Sequence, residues 1–229
     1  MFEAIAQGWT AFWSINTTAF TVLDYPVSHL ELWGTLFNLW SVVLVARRNI
    51  ATWPVGLVGV ALFLALFYQI RLYADTLEQV YYLFASLYGW RLWALSRPSA
   101  AAPTAGIAFS APRRILVVAA VTALLSVLLG YVLSRIHLWL PAFFPAAAEY
   151  VYLDATTTVM SFTATILMAR KRTECWWYWI SVDVIAIGLY WRKDVRFIAL
   201  EYVIFLVLAI LGLLAWQRQR RPTPSLVMA

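Results

Sequence analysis

The chain has 229 residues, of which 63% are hydrophobic and only 12% are charged, and its mean hydropathy is +0.76. A soluble domain is about half apolar and a quarter charged, so this composition excludes a soluble enzyme and indicates several membrane spans. The formal charge of +6 does not indicate nucleic-acid binding, because the basic residues cluster in short loops between apolar runs.

The first 28 residues precede the clear membrane segments. Residues 3–23 are apolar but interrupted by polar side chains such as Gln7 and Asn16. We predict an amphipathic helix in the membrane interface, or an extra helix, over 1–28. Pro26 ends it, because proline cannot continue the interior of a helix.

Seven segments then have the length and apolar character of membrane-spanning helices, which need about 20 residues. They are residues 29–46, 52–70, 77–95, 114–134, 149–169, 175–192 and 197–216. The linker 96–113 is rich in proline, alanine and serine, which predicts a mobile connection. The plain aliphatic segment 114–134 is typical of a structural connector, and the stretch 136–148, with two prolines, is expected to cap the outer face.

An internal repeat organises these segments. Shifting the chain by 123 residues aligns ARRNIATW (46–53) with ARKRTECW (169–176). The same shift pairs identical residues farther along, namely Trp53 with Trp176, Leu77 with Leu200, Glu78 with Glu201, Gly89 with Gly212 and Trp93 with Trp216. Such matches in register over this length predict two related three-helix units.

The repeat predicts an all-α membrane protein with seven core transmembrane helices arranged as 3+1+3 parallel repeats. The expected parts are 1–28, the first repeat 29–95, linker and connector 96–148, the second repeat 149–216, and a basic tail 217–229. In transporters with parallel repeats the substrate lies at the repeat interface near the midplane. Arginines and lysines are more frequent in the loops on the side of the C-terminus, which predicts a cytoplasmic C-terminus.

The sequence contains none of the motifs HExxH, GxSxG or GxxxxGK[ST], and its acidic and imidazole groups do not cluster. A single cysteine, Cys175, excludes disulfide frameworks and multi-cysteine metal sites. We therefore expect no enzymatic activity, no metal and no cofactor. Membrane helices with sparse polar groups favour the passage of a solute.

The segment 175–192 carries the most informative residues. Trp176, Trp179 and Asp183 have the spacing of one helix face. An ionisable group in the middle of a span costs about 2.5–3.5 kcal/mol on insertion scales and by default marks a pathway or binding site. A structural ion pair with Lys or Arg on a neighbouring helix is the alternative. The residue equivalent to Asp183 in the first half is Val60, so the acid is not part of the repeated scaffold.

Other polar and aromatic residues extend this candidate site. Gln79, Tyr82 and Ser86 share a helix face, Tyr202 is the equivalent of Gln79, and Asp154, Thr158, Ser161 and Thr165 form a polar stripe. Aromatic walls with a carboxylate and a few hydrogen-bonding groups suit a planar, positively charged heterocycle. Tryptophans can instead form interfacial belts, which is our interpretation of Trp90, Trp93 and Trp216, and serines or threonines can serve helix packing.

The run 49–93, NIATWPVGLVGVALFLALFYQIRLYADTLEQVYYLFASLYGWRLW, resembles the bacterial PnuC vitamin transporters. The family's Trp-x-x-Trp-x-x-x-Asn/Asp helix is matched by Trp176, Trp179 and Asp183, and its third-helix glutamine by Gln79. Some members have asparagine at the position of Asp183, and some have an asparagine-containing stretch where this chain has Val58-Gly59-Val60.

The resemblance implies a fold related to SWEET sugar transporters, with opposite membrane topology. It also implies uptake of nicotinamide riboside, or in sister branches thiamine, riboflavin or a deoxynucleoside, by facilitated diffusion with trapping through intracellular phosphorylation. Trp176 and Trp179 would stack on the pyridinium ring, Asp183 would balance its charge or bind ribose, and Gln79, Tyr202, Thr158 and Asp154 would complete the site.

We therefore predict a nicotinamide riboside transporter of the bacterial inner membrane. Thiamine transport, or a ligand-binding membrane sensor that passes nothing, are the alternatives. The expected partners are the vitamin and the lipid bilayer, without nucleic acid, and a homo-oligomer such as a trimer is compatible with a compact bundle.

Overall fold

The computed structural model describes residues 12–14, 16–22, 25–69, 73–95, 107–142, 150–192 and 196–220. Over these residues the chain forms one β-hairpin and seven α-helices. The elements are β1 (Thr18–Val22), β2 (Tyr25–Ser28), α1 (His29–Ala46), α2 (Thr52–Gln69), α3 (Tyr73–Leu95), α4 (Pro112–Trp139), α5 (Val151–Ala169), α6 (Cys175–Arg192) and α7 (Arg196–Arg220).

Five of these helices are long and apolar enough to cross a membrane. They are α1, α2, α4, α5 and the Ala199–Gln219 part of α7. The other two, α3 and α6, contain ionisable side chains and many tyrosines and tryptophans, which lower hydropathy, so their crossing of the membrane stays a prediction. The described residues therefore form an all-helical, multi-pass membrane protein, apart from the hairpin.

The predicted helix limits agree with the structure except at a few ends. α4 continues to Trp139, so the first residues of the expected outer cap belong to the connector helix. Pro141 follows shortly after, where proline commonly stops a helix. α7 continues to Arg220 and includes the first residues of the expected basic tail.

The N-terminal helix that we predicted over 1–28 does not continue through Thr18–Val22 and Tyr25–Ser28. Thr18–Val22 and Tyr25–Ser28 form an antiparallel hairpin. Ser28 then starts α1, because its hydroxyl accepts a hydrogen bond from the amide of Glu31. The helix prediction is wrong over this stretch, since its β-branched and aromatic residues favour a strand. Residues 1–11 lie outside the described residues.

The helices belong to two compact units, Met1–Leu95 and Ser96–Ala229. In the first unit α2 packs against both α1 and α3. In the second unit α4 packs on α5, α5 on α6 and α6 on α7. In each unit, the helix that follows the short basic loop is therefore held by its two neighbours in sequence.

The two basic loops share one backbone conformation. Arg48 and Lys171, which are 123 residues apart, have positive φ values of 57° and 54°. The amide of Arg48 donates to the carbonyl of Val45, and that of Lys171 donates to Met168, each at 2.9 Å. A left-handed residue with such a bond is a common way to end a helix, so the same device closes α1 and α5.

Trp53, at the start of α2, fixes that helix against α3. Its ring lies edge-on to Trp93, with 5.6 Å between the centroids and 85° between the planes. A Cβ at Gly89 would collide with the indole of Trp53, so only glycine permits this approach. The indole is therefore enclosed between two residues of the next helix.

Trp176, at the start of α6, has the same surroundings in the second unit. Its ring is 5.6 Å from that of Trp216 at 89°, and a Cβ at Gly212 would collide with it. Trp93 and Trp216 are only 6% and 0% exposed. The interpretation of these two residues as interfacial belts is wrong, because they are buried between helices.

The linker 96–113, which we expected to be mobile, forms hydrogen bonds to the loop before α6 over its last residues. Ala108 forms a parallel bridge to Arg172, and the amide of Ser110 donates to both carboxylate oxygens of Glu174 at 3.2 and 3.3 Å. Residues 108–110 and 171–174, which we call the linker clip, thus connect the start of α4 to the loop before α6. Glu174 and Ser110 are both buried.

Candidate functional site

Asp183 lies near the middle of α6, and its side chain is only 3% exposed. Within the part of the chain that the structure describes, its carboxyl group has no hydrogen bond and no ion pair. The alternative was an ion pair in which Asp183 and a Lys or Arg hold the bundle together. No Lys or Arg among the described residues forms that pair. A buried carboxyl group without a partner is costly, so a ligand that pairs with it gains a strong interaction.

Trp179 lies one turn before Asp183 on the same face of α6. The side chain is partly buried, and its indole N–H is enclosed without an acceptor among the described residues. Buried indole N–H groups normally find a partner, but those of Trp53 and Trp176 also lack one among the described residues, so it is the position beside Asp183 that makes Trp179 a candidate for the site. The equivalent residue in α2 is Gly56, where a Cβ would lie 2.9 Å from Oγ of Ser41. The first unit therefore has no aromatic side chain at the equivalent position of α2.

Trp176 occupies the same face one turn earlier but is only 1% exposed. Its ring is enclosed by Gly212 and Trp216, in the geometry that Trp53 has in the first unit. This residue therefore fixes α6 on α7 directly beside Trp179. In this structure no face of its ring is open to a ligand.

Thr158 in α5 differs from the other threonines of that helix. Four of them, Thr156, Thr157, Thr163 and Thr165, donate to backbone carbonyls one turn earlier. The hydroxyl of Thr158 has no hydrogen bond to any described residue, and its side chain is partly exposed. A threonine hydroxyl inside a helix normally binds the backbone in this way, so Thr158 keeps its donor for another partner.

The rest of the α5 stripe divides into two parts. Asp154 is partly exposed in the first turn, and its carbonyl accepts a hydrogen bond from Thr157. Ser161 and Thr165 are buried, and Thr165 donates to the carbonyl of Ser161. Thr158 and Asp154 are thus the members that can meet a ligand, while the other two are enclosed.

Tyr202 in α7 stacks on Tyr190, the residue at the far end of α6. Their centroids are 5.5 Å apart and their planes meet at 14°, and Phe205 lies at 6.3 Å from Tyr202. The sequence reasoning missed Tyr190. Helical spacing could have found it, because Tyr190 is seven residues after Asp183 and so shares its face.

Gln79 belongs to the first unit, whereas Asp183 and its neighbours belong to the second. Its side chain is 9% exposed near the start of α3. On the same helix Ser86 is also buried, and the hydroxyl of Tyr82 donates to Glu78 at 3.3 Å. Gln79 is therefore buried within its own helical unit, and its role in binding stays a prediction.

The apolar helices and the fold define a multi-pass helical membrane protein of the solute-transporter class. The sequence model of the family described as "Nicotinamide mononucleotide transporter" matches residues 28–218. The chain belongs to this family, which confirms the resemblance found in its motifs.

Two relatives and one solved structure place the chain more closely. It is 29% identical over 217 residues to "Nicotinamide riboside transporter PnuC" of Escherichia coli, covering 88% of this chain and 90% of that protein. It is 26% identical over 214 residues to "Riboflavin/roseoflavin transporter RibM" of Streptomyces davaonensis, covering 91% and 95%. The fold matches "Crystal structure of the Vitamin B3 transporter PnuC" with a TM-score of 0.61, at 22% identity and over 83% of this chain and 81% of that one.

These names refer to different solutes, namely a mononucleotide, a riboside and a flavin. Membership of the family therefore gives the class of protein, and the solute has to be argued from the residues of the site.

Proposed function

We propose that this protein takes up nicotinamide riboside across the bacterial inner membrane by facilitated diffusion. Intracellular phosphorylation, which the resemblance implies, would trap the vitamin. The proposal is supported by the Escherichia coli relative, a protein named as a nicotinamide riboside transporter that this chain matches over 90% of its length.

The observation that carries the proposal is the buried carboxyl group of Asp183, which has no hydrogen bond or ion pair among the described residues and lies one turn from Trp179. Nicotinamide riboside carries a permanent positive charge on a flat pyridinium ring. An aromatic face attracts such a cation, and a carboxylate pairs with it, so Trp179 and Asp183 can bind the same ring together. The neutral isoalloxazine of riboflavin offers no such pairing, which favours the riboside over the substrate in the name of RibM.

The remaining residues of the site have supporting roles in this proposal. Thr158 and Asp154 on α5 bind polar groups of the ligand, and Tyr202 on α7 adds an aromatic and hydrogen-bonding surface. Gln79 contributes a hydrogen bond, as the match to the family's glutamine implies. Trp176 has an indirect role, because its enclosed ring packs α6 against α7 and so holds Trp179 and Asp183 in position.

We also propose the 3+1+3 arrangement, with parallel repeats as in SWEET transporters and the C-terminus in the cytoplasm. It is supported by the shared loop conformation at Arg48 and Lys171 and by the equivalent settings of Trp53 and Trp176. The orientation is supported by the basic loops, because arginine and lysine are retained on the cytoplasmic side.

Counterflow in proteoliposomes tests the transport proposal. Liposomes containing purified protein and loaded with unlabelled riboside should accumulate labelled riboside from outside. Asp183→Ala should lose most of this flux, whereas Val60→Ala, at the equivalent position of α2, should keep it. Normal counterflow by the Asp183→Ala protein would contradict the assignment of the site.

Thiamine is the second candidate, because its thiazolium ring is also flat and cationic. The carboxyl group of Asp183 and the indole of Trp179 would bind this ring in the same way. Titration of the purified protein with riboside, thiamine and riboflavin ranks the three, and much tighter binding of thiamine would replace riboside as the substrate.

A sensor that binds the vitamin without passing it is the remaining alternative. Such a protein would show saturable binding in the titration but no counterflow above that of empty liposomes. Transport with the wild-type protein therefore decides between the two classes.

A further inference from the structure

The face of α6 that carries Trp179 and Asp183 continues to Tyr190. At about 1.5 Å per residue, Tyr190 lies roughly 10 Å along the axis from Asp183, on the side away from Trp179. Both Tyr190 and its stacking partner Tyr202 are partly exposed. This face thus has an aromatic group at each end and an acid between them.

The stacked tyrosines have no equivalent in the first unit. The residue equivalent to Tyr190 is Phe67, which stacks on Phe63 of its own helix at 5.6 Å and 13°. The residue equivalent to Tyr202 is Gln79, which has no ring. A stack needed only to join the second and third helices of a repeat would be expected in both units, so its presence in one unit points to the ligand.

Resting on the function proposed above, we infer that Tyr190 is a positioning residue for the ligand. Its ring stacks on Tyr202 and holds the side chain of Tyr202 in place. The ring of Tyr202 is the end wall of the site, and it contacts the ribosyl part of the ligand. The charged ring lies between Asp183 and Trp179, and the sugar extends along α6 towards the tyrosine pair. The pair therefore distinguishes a riboside from its base.

Two variants of Tyr190 test the stack, and Phe67→Leu in α2 is the matched control. Tyr190→Leu should raise the Kd for nicotinamide riboside by about fivefold to tenfold, since an aromatic pair contributes on that order. Tyr190→Phe keeps the stacked ring and should bind like the wild type. Phe67→Leu should leave the Kd unchanged, and size-exclusion chromatography with melting curves confirms that each variant is folded.

A ligand without the sugar tests the position of the wall. 1-Methylnicotinamide has the same cationic ring, and its Kd, obtained by displacement of labelled riboside, should be the same for Tyr190→Leu and wild type. An unchanged riboside Kd in Tyr190→Leu, no rescue by Tyr190→Phe, or equal weakening of both ligands would each overturn the inference.

The failure of the proposed function is a separate result. If the wild-type protein binds no riboside but binds thiamine or riboflavin, the substrate is wrong, and the Tyr190 variants are then compared on the vitamin that binds. If riboside binding depends on Asp183 but not on Tyr190, the function stands and the end wall does not.

Discussion

The indole of Trp176 rests on Gly212 so closely that a Cβ on the glycine would collide with it. The same relationship joins Trp53 and Gly89, which lie 123 residues earlier in the chain. The tryptophan that opens the central helix of each unit is thus fitted to a glycine on the following helix. This contact belongs to the shared scaffold and predicts an effect on stability.

Gly212→Ala should destabilise the protein, because the added methyl group displaces a fully buried indole. Overpacking of this kind costs about 1–3 kcal/mol. Gly89→Ala should have a similar effect. Gly188→Ala is the matched control, because a Cβ at this position of α6 meets nothing within 4 Å. Melting curves in detergent measure the three variants, and a Gly212→Ala protein as stable as Gly188→Ala would contradict the role of the contact.

Glu174→Ala should loosen the linker clip. The substitution leaves the buried amide of Ser110 without its acceptor, and an unsatisfied buried group costs about 1–3 kcal/mol. The melting temperature should fall, and elastase, which cuts after small residues such as alanine, should cut the linker 96–113 faster. Glu174→Gln retains an acceptor oxygen and should lie between the alanine variant and wild type. Equal protease resistance of all three proteins would show that the clip does not hold the linker.

Thr158→Val should weaken ligand binding without affecting stability. Valine keeps the shape but removes a hydroxyl that has no hydrogen bond to the described residues, so the folded protein loses nothing. One lost ligand hydrogen bond should raise Kd about twofold to tenfold. Thr163→Val is the control, because its hydroxyl lies 3.0 Å from that of Thr122. This variant should melt lower with its Kd unchanged, and the opposite pattern would exclude Thr158 from the site.

The helices were predictable because apolar runs of membrane length leave few alternatives for the backbone. The hairpin before α1 was not, because the β-branched and aromatic residues of Thr18–Ser28 favour a strand but show no clear alternation of apolar and polar side chains. The order of the linker was also missed. It depends on a buried pairing between Ser110 and Glu174, which are 64 residues apart, and composition does not reveal such a contact.

Within the site, the candidate residues of α6 could be chosen from the sequence, but whether each aromatic ring is buried or exposed could not. Trp176, Trp93 and Trp216 have the same positions near helix ends that belt residues have, and only the pairing of helices shows that they are buried. Asp183 was recognisable because an acid inside an apolar segment has few explanations. Tyr190 was overlooked, although its spacing from Asp183 was available.

Asp183→Asn separates the charge of the acid from its capacity to form hydrogen bonds. Asparagine keeps a carbonyl oxygen at the same place, so polar contacts to ribose can persist, but it cannot neutralise a cation. Hydrogen bonds to charged groups are stronger than neutral ones by about 1 kcal/mol or more, which predicts a Kd for riboside and thiamine about tenfold higher. Binding of riboflavin, which has no such charge, should change little, and Val60→Ala should leave all three ligands unaffected. Isothermal titration calorimetry gives the constants, and riboside binding by Asp183→Asn as tight as in the wild type would show that the site does not select its ligand by charge.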